Sequence, residues 1–279
     1  MIATRPCGFN WWYSLQTTPS TTPGVSVTPG SGSKGAYVQL ASGANLAKDS
    51  YALALWVNAG STSTGIRDLL LDIGLDPAGG TSYSQTGGIN NIYAPQSSNA
   101  VDGGRWFYFP LWIKAGTSVG VCGQANDAST VRVAAWFYGQ PTNPEFAVAG
   151  QYSETLGVSG NGGTPFTCGN SAAWGSWTSL GTTTKSCWHW TLAWGHNVGT
   201  TTAQMYFAEL AVGDGSNYKT ILPCQPMFNP GTTEKSGNGP TPAFCCGYWE
   251  VPAGATLYVR GSASGTAQTT EAVAVGIGS

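Results

Sequence analysis

With 279 residues the chain is long enough for two ordinary domains or one large all-β domain, and only 9% of it is charged, against about a quarter in an average globular protein. A formal net charge of −2, with 11 Lys plus Arg scattered singly, leaves no basic stripe to follow a phosphate backbone, so no nucleic acid partner is expected. Aromatic residues at 12% and hydrophobic residues at 41% provide the apolar surface that disordered Gly/Ser/Thr-rich chains lack, while 40 Gly and 16 Pro point to many short strands and tight turns.

The opening, "MIATRPCGFNWWYSL", has no continuous apolar core of the secretory kind, and no apolar run reaches the roughly 18 residues of a membrane span. The expectation is synthesis in a cytoplasm, without export by the general route and without a membrane partner. The tract "TTPSTTPGVSVTPGSGSKG" cannot form a helix, and residues 1–35 read as an N-terminal arm that is ordered only where it lies on something else. Residues 36–140 read as a first β-sandwich, with strands at "YALALWVNAG", "VGVCGQA" and "VRVAAWFYG". Within it, "GIRDLLLDIG" reads as a short helical turn stopped by Gly and Asp at its ends. The phrase "FYFPLWIKAGTSVGV" predicts a strand, a sharp corner at Gly116 needing a positive φ or a close backbone approach, and a second strand. Residues 141–171 form a Gly/Pro-rich connection. Residues 172–279 read as a second β-sandwich, with strands at "CWHWTLAW", "TLYVRGSAS" and "EAVAVGIG" and a matching corner at Gly254.

The two corners belong to an internal duplication. "PLWIKAGTSVGV" and "GYWEVPAGATLYV" share an apolar-Ala-Gly-apolar phrase at an offset of about 138 residues. Near the same offset Tyr37 pairs with Trp177, Leu40 with Leu180, Lys48 with Lys185 and Trp56 with Trp194, "LLLDIG" faces "AELAVG", and "IYAP" faces "MFNP". The predicted fold is therefore all-β: two tandem jelly-roll-like sandwiches of about eight strands each, preceded by an extended arm.

Catalytic chemistry is sparse. Cys187, His189 and His196 could be imagined as metal ligands, since alternation places Cys187 and His189 on one face of a strand, but no fourth ligand or recognised spacing follows. Asp68, Asp72 and Asp76 lie four apart, on one face of a helix or in a cation loop, yet the D-x-D-x-D-G pattern is missing, and Arg67 beside Asp68 suggests an ordinary ion pair. The Gly-rich stretches "GGINNIYAP" and "SGNGGTPF" match no phosphate-loop pattern and read as turns. The chain is accordingly expected to be no enzyme and to hold no cofactor or metal.

Tryptophan and cysteine carry the remaining signal. Trp174, Trp177, Trp188 and Trp190 are candidates for a subunit interface or for a ligand platform; alternation sends Trp188, Trp190 and Trp194 to one face, which favours a core or a subunit contact over a sugar platform. The 7 cysteines include no C-x-x-C pair. They are either small buried hydrophobes or, for Cys7 in the arm and the adjacent Cys245 and Cys246, candidates for disulfides between subunits formed in an oxidising exterior.

The pairing of an apolar strand, "IKAG" or "VPAG", with a later strand "VRVAAWFYG" or "EAVAVGIG" resembles the β-sandwich repeats of tailed-bacteriophage virion structural proteins. The resemblance spans the duplicated region and implies jelly-roll or Ig-like modules serving in capsid decoration, as minor capsid or neck-collar proteins, or in tail fibres, with no catalytic residues. Its implied partners are other virion proteins, such as major capsid or neck proteins, and further copies of the chain. A homotrimer is favoured because two similar modules per chain would then give six near-equivalent ones. The implied location is the virion. The alternatives are a carbohydrate- or receptor-binding tail-fibre module and a glycoside-active enzyme built on two carboxylates.

Overall fold

The computed structural model describes residues 12–14, 24–58, 66–97, 104–126, 129–139, 149–196, 204–229 and 247–279. Among these there are strands, turns and bends and no helix. The first half contributes β1 (Trp12–Ser14), β2 (Val25–Val27), β3 (Gly30–Ser31), β4 (Val38–Ala41), β5 (Ala52–Asn58), β6 (Ile66–Arg67), β7 (Leu69–Asp76), β8 (Ser84–Tyr93), β9 (Gln96–Ser97), β10 (Arg105–Phe109), β11 (Ser118–Ala125) and β12 (Val131–Tyr138). The second half contributes β13 (Tyr152–Leu156), β14 (Val158–Ser159), β15 (Gly162–Gly169), β16 (Thr178–Thr182), β17 (Cys187–His196), β18 (Gln204–Gly213), β19 (Tyr218–Asn229), β20 (Gly247–Val251), β21 (Thr256–Ala263) and β22 (Thr269–Gly278). The chain is all-β, built of stacked sheets around two hydrophobic cores.

In the first half, β1-β12-β5-β10 form one sheet, with β2 also on β12, and β3-β11-β7-β8 form another, with β4 also on β11. Alternation turns Leu53, Leu55, Val57, Val133, Ala135 and Phe137 of one sheet toward Leu69, Leu71, Ile73, Val119 and Val121 of the other, all fully buried. In the second half one long sheet, β19-β18-β21-β15-β22-β17-β20, folds over at β15, which pairs with β22 through Thr164–Thr167 and with β21 through Cys168 and Gly169. Its two limbs enclose Trp190, Leu192 and Trp194 against Tyr206, Leu210, Leu257 and Val259.

The pairing scheme is the same in both halves. β11 meets β3 in parallel and β4 and β7 antiparallel; β21 meets β15 in parallel and β16 and β18 antiparallel. Both corner glycines have the expected positive φ, 81° at Gly116 and 85° at Gly254, and each donates its N–H to a distant loop, that before β5 (Leu46 O) or that before β17 (Thr183 O), at 2.8 Å. One sequence anchor fails. Leu55 and Val57 face the first core, so Trp56 stands on the outer face of its sheet, whereas Trp194 is fully buried in the second core.

Other expectations are corrected too. "GIRDLLLDIG" is strand β6 followed by β7, not a helical turn, and β7 is buried along its whole length. A fully covered strand has no polar alternation, and its run of Leu and Ile imitates one turn of a buried helix. "GGINNIYAP" is no turn: most of it lies in β8, an irregular strand with positive φ at Gly87 (74°) and Asn91 (55°). Val25–Val27 and Gly30–Ser31, within the sequence's arm, and β13 to β15, within its connection, are paired strands, and Val27 is 0% exposed.

The two halves meet face on edge. Strands β8 and β10 end their sheets on the same side of the first sandwich, and the outer face of β13-β22-β17 closes that side. Ala193, Val273, Val275 and Ile277 from this face join the first core. Polar side chains of the same face meet the free strand edges: Ser153 Oγ donates to Gly88 O at 2.7 Å, Thr155 Oγ1 donates to Asn90 O, and the His189 ring bonds to the Tyr108 backbone. The Tyr93 hydroxyl lies 3.0 Å from Asp68 Oδ1 and 3.1 Å from Glu271 Oε2, one carboxylate from each half. Burial, with those two carboxylates beside it, holds the phenol well above its ordinary pKa.

Because β22 is covered on both sides, its residues divide by size. Ala272, Ala274 and Gly276 face the tryptophans of the second core, and a Cβ on Gly276 would stand 2.7 Å from the Trp190 ring. Gly276→Ala is expected to cost about 1–3 kcal/mol by overpacking. Gly254→Ala, with nothing within 4 Å of its Cβ, should cost only the backbone term of about 1 kcal/mol. Urea denaturation of the two variants checks the order; equal losses would contradict the packing of β22 described here.

Candidate functional site

The outer face of β18 and β21 carries a polar-aromatic cluster. Glu209 on β18 and Arg260 on β21 sit opposite each other in the register, and Arg260 directs Nε and Nη2 onto Glu209 Oε2 at 2.9 and 2.8 Å. The strap before β16 lays Trp174 and Trp177 over the guanidinium, at 4.8 and 4.4 Å from Arg260 Cζ. Tyr218 of β19 stacks on Trp177 at 5.0 Å and 21°, and Tyr258 meets Tyr218 edge-on at 5.1 Å. Trp177 thus contacts both the Arg260 guanidinium and the Tyr218 ring.

The same place in the first half holds different chemistry. Cys122 on β11 faces Asp72 on β7 in the register. The cation comes from the strap instead: Lys34 Nζ reaches Asp72 Oδ1 at 2.6 Å and Leu70 O at 3.3 Å. Gln85 and the Asn91 N–H also donate to Asp72, whose side chain is fully buried, and Tyr37 and Tyr83 pack there at 5.3 Å. Burial, with Asp72 nearby, raises the Cys122 thiol above its ordinary pKa. Of the three spaced acids, Asp72 and Asp76 lie in β7 and Asp68 just before it, and each has its own partner. Asp68 accepts from Tyr93, Asp72 holds Lys34, and Asp76 accepts from the Ala78 and Ser82 N–H groups of the following turn. The Arg67 side chain lies outside the described residues.

The sequence-selected tryptophans separate. Trp174 and Trp177 come together around Arg260, Trp190 is 0% exposed in the second core, and Trp188 packs, half-buried, against the first core. The placement of Trp188, Trp190 and Trp194 on one face is corrected. A register shift against β20 between Cys187 and His189 breaks the alternation, so Cys187 and Trp190 both reach the second core while Trp188 turns to the first. For the same reason Cys187 and His189 do not share a face. The His196 side chain lies outside the described residues, and among those described no group of three or more His, Cys, Asp or Glu could hold a metal ion.

Cys122, Cys168, Cys187 and Cys224 are free thiols. Burial raises Cys168 to about 11 and, with Glu154 adding to it, Cys187 to about 12, so both remain protonated and unreactive. Cys7, Cys245 and Cys246 lie outside the described residues. Sequence reasoning missed a third aromatic group, on the outer face of the β12-β5-β10 sheet, where Trp106 is 39% exposed and tilts against Trp136 at 4.7 Å. The alternation of "RWFYF" and "VAAWFY" carried that signal, since each puts a Trp opposite to its core phenylalanines.

No family model and no curated protein sequence matches the chain. Among solved structures it is similar to the tandem CBM22-1-CBM22-2 domain of Paenibacillus barcinonensis Xyn10C, at 11% identity over 99% of this chain and 98% of that one, with a TM-score of 0.25. It is also similar to the major capsid protein P2 of bacteriophage PM2, at 6% identity over 96% of this chain and 98% of that one, with a TM-score of 0.34. A third similarity is to infectious bursal disease virus, Gx strain, at 10% identity over 87% of this chain and 58% of that one, with a TM-score of 0.24. These neighbours include one viral major capsid protein and one tandem CBM22 domain.

Arg260→Ala strips the stacked column of its centre and leaves Glu209 without its cation, an expected loss of about 2–3 kcal/mol in urea denaturation. Arg260→Lys should recover less than half, because an ammonium cannot fill the planar slot between two indoles; full recovery would reduce the site to a simple charge pair. His189 generates a second expectation. Burial lowers its pKa to about 4, opposed by its bond to the Tyr108 backbone, while the unfolded side chain titrates near 6.5. Between these values the unfolded state binds the extra proton, so stability is complete above pH 6.5 and falls as pH drops toward 4, by up to about 3 kcal/mol. His189→Gln should flatten that window in pH-dependent denaturation, and an unchanged slope would remove His189 as its source.

Proposed function

We propose that the protein is a non-enzymatic structural component of a bacteriophage virion, a capsid decoration, minor capsid or neck-collar protein, made of two copies of one β-module and assembling through module contacts. The observation that carries this reading is how the chain uses an outer sheet face. In the second half that face becomes a docking surface, closing the first sandwich with apolar side chains and capping its strand edges with Ser153, Thr155 and His189. The corresponding face of the first half ends in the partly exposed Trp106 and half-buried Trp136. A module that docks in this way inside one chain is suited to dock between chains, with a homotrimer favoured. The described acids and bases support a structural role, since Asp72, Asp76, Glu209 and His189 are each engaged in holding strands or turns. Cys7, Cys245 and Cys246 are the candidates for disulfides that lock subunits together outside the cell.

Quantitative mass spectrometry of particles purified after lysis should find the protein at a fixed copy number per particle; its absence from washed particles would overturn the reading. Non-reducing gels of thiol-protected particles should show intersubunit bands that collapse on reduction, and monomer bands alone would remove the disulfides. The second reading, a carbohydrate- or receptor-binding tail-fibre module, draws on the Trp174 and Trp177 column and predicts saturable binding on a glycan array, abolished by Trp174→Ala.

A further inference from the structure

We propose that a second copy of this chain covers the outer face of β12-β5-β10, seating it over the β19 and β20 ends of the long sheet as β22 and its neighbours are seated over β8 and β10 within one chain. The inference rests on the assembly reading above and names its contact surface.

The strand pairings make the equivalence concrete. β12 stands to β2, β5 and β10 as β22 stands to β15, β17 and β20, and β8 is the outermost neighbour of β7 as β19 is of β18. The outer face of β22 and β17 is therefore the counterpart of the outer face of β12 and β5. The first of these is buried against the other half of its own chain, with Ala193, Val273, Val275 and Ile277 at no more than 1% exposure. On the second, Ala54 and Ala134 are at 7% exposure or less and Trp56 and Trp136 are half-buried, while Trp106, beside Trp136 on the adjoining edge strand β10, is 39% exposed. Trp106, on the edge strand of that face, is the kind of large aromatic side chain that dominates protein interfaces when it becomes buried.

The receiving end has a matching character. Its counterpart β8 is irregular, with positive φ at Gly87 and Asn91, and it takes side-chain hydroxyls on its edge in place of another strand. β19 is irregular as well: Pro223 and Pro226 cannot donate to a ladder, and Cys224 has a φ of 45°. Such an edge resists strand addition and is suited to cover by a sheet face. Since the donor face and the receiving edges lie on different halves, the contact is heterologous, and its repetition closes a ring of chains when the rotation between neighbours divides a full turn.

Light scattering over a concentration series, with a photo-cross-linking phenylalanine analogue at position 106 in mixed light- and heavy-isotope chains, tests this. The chain should form a closed oligomer, and the probe should capture peptides of β19 from a neighbouring copy. Trp106→Glu should raise the concentration needed for assembly by about tenfold or more. Val158→Glu, a change at a 39% exposed position on β14, should leave it within about twofold. Near-UV circular dichroism confirms folding, and the probe still reports the contact if Trp106→Glu does not fold. A monomer at every concentration would overturn both the contact and the assembly reading. An oligomer whose probe captures β5 or β12, a face-to-face pair, or captures no neighbour, would overturn the contact alone, as would capture of β19 only from the same chain.

Discussion

The outer face of β13-β22-β17 is where the two halves of this protein depend on each other. A sandwich of open sheets leaves apolar side chains visible between its edge strands and leaves backbone groups unpaired along them, and both are costly in water. Here one sheet face answers both needs of the first half: the valines and isoleucine of β22 fill the gap, while Ser153, Thr155 and His189 bond to the exposed backbone. The burial of Tyr93 between Asp68 and Glu271 follows from the same contact. Loosening it would expose a hydrophobic core and two strand edges at once, so the halves are tied more firmly than a flexible pair of domains.

That dependence shapes the local sequence. β22 serves two cores, and its small residues face Trp190 and Trp194 while its branched residues face the first core. Without Gly276 the Trp190 ring would have no room. On the outer faces of β7 with β11 and of β18 with β21 there is one shared requirement, a carboxylate on the inner strand neutralised by a cation, and it is met twice by different residues: Lys34 from a strap for Asp72, Arg260 from the neighbouring strand for Glu209. The aromatic neighbours differ accordingly, tyrosines around the lysine and tryptophans around the guanidinium, whose flat cation they can stack against.

Much of the fold was legible because composition and turn chemistry act locally. The strands at "YALALWVNAG", "VRVAAWFYG" and "EAVAVGIG" and the positive φ at Gly116 and Gly254 could be read from a few neighbouring residues. What was not legible depended on distant contacts. "LLLDIG" looks helical only until it is known to be covered on both faces, and Trp188 changes sides because of a register shift that no pattern within "CWHWTLAW" reveals. The candidate site was half visible: Trp174 and Trp177 were marked out by density, but Arg260 and Glu209 were unremarkable until β18 and β21 placed them opposite each other. Trp106 and Trp136 lie thirty positions apart in sequence and meet only through β5, which separates their strands.

The central claim, that one sheet face binds the two halves into a single cooperative body, is tested most directly by hydrogen exchange of the intact chain through a urea series. Amides of Leu53–Val57 in the first core and of Leu192–Trp194 in the second should lose protection in one shared transition, together with those of Val273–Ile277 between them. Two separate transitions, with β22 exchanging along with one core while the other stays protected, would contradict the account.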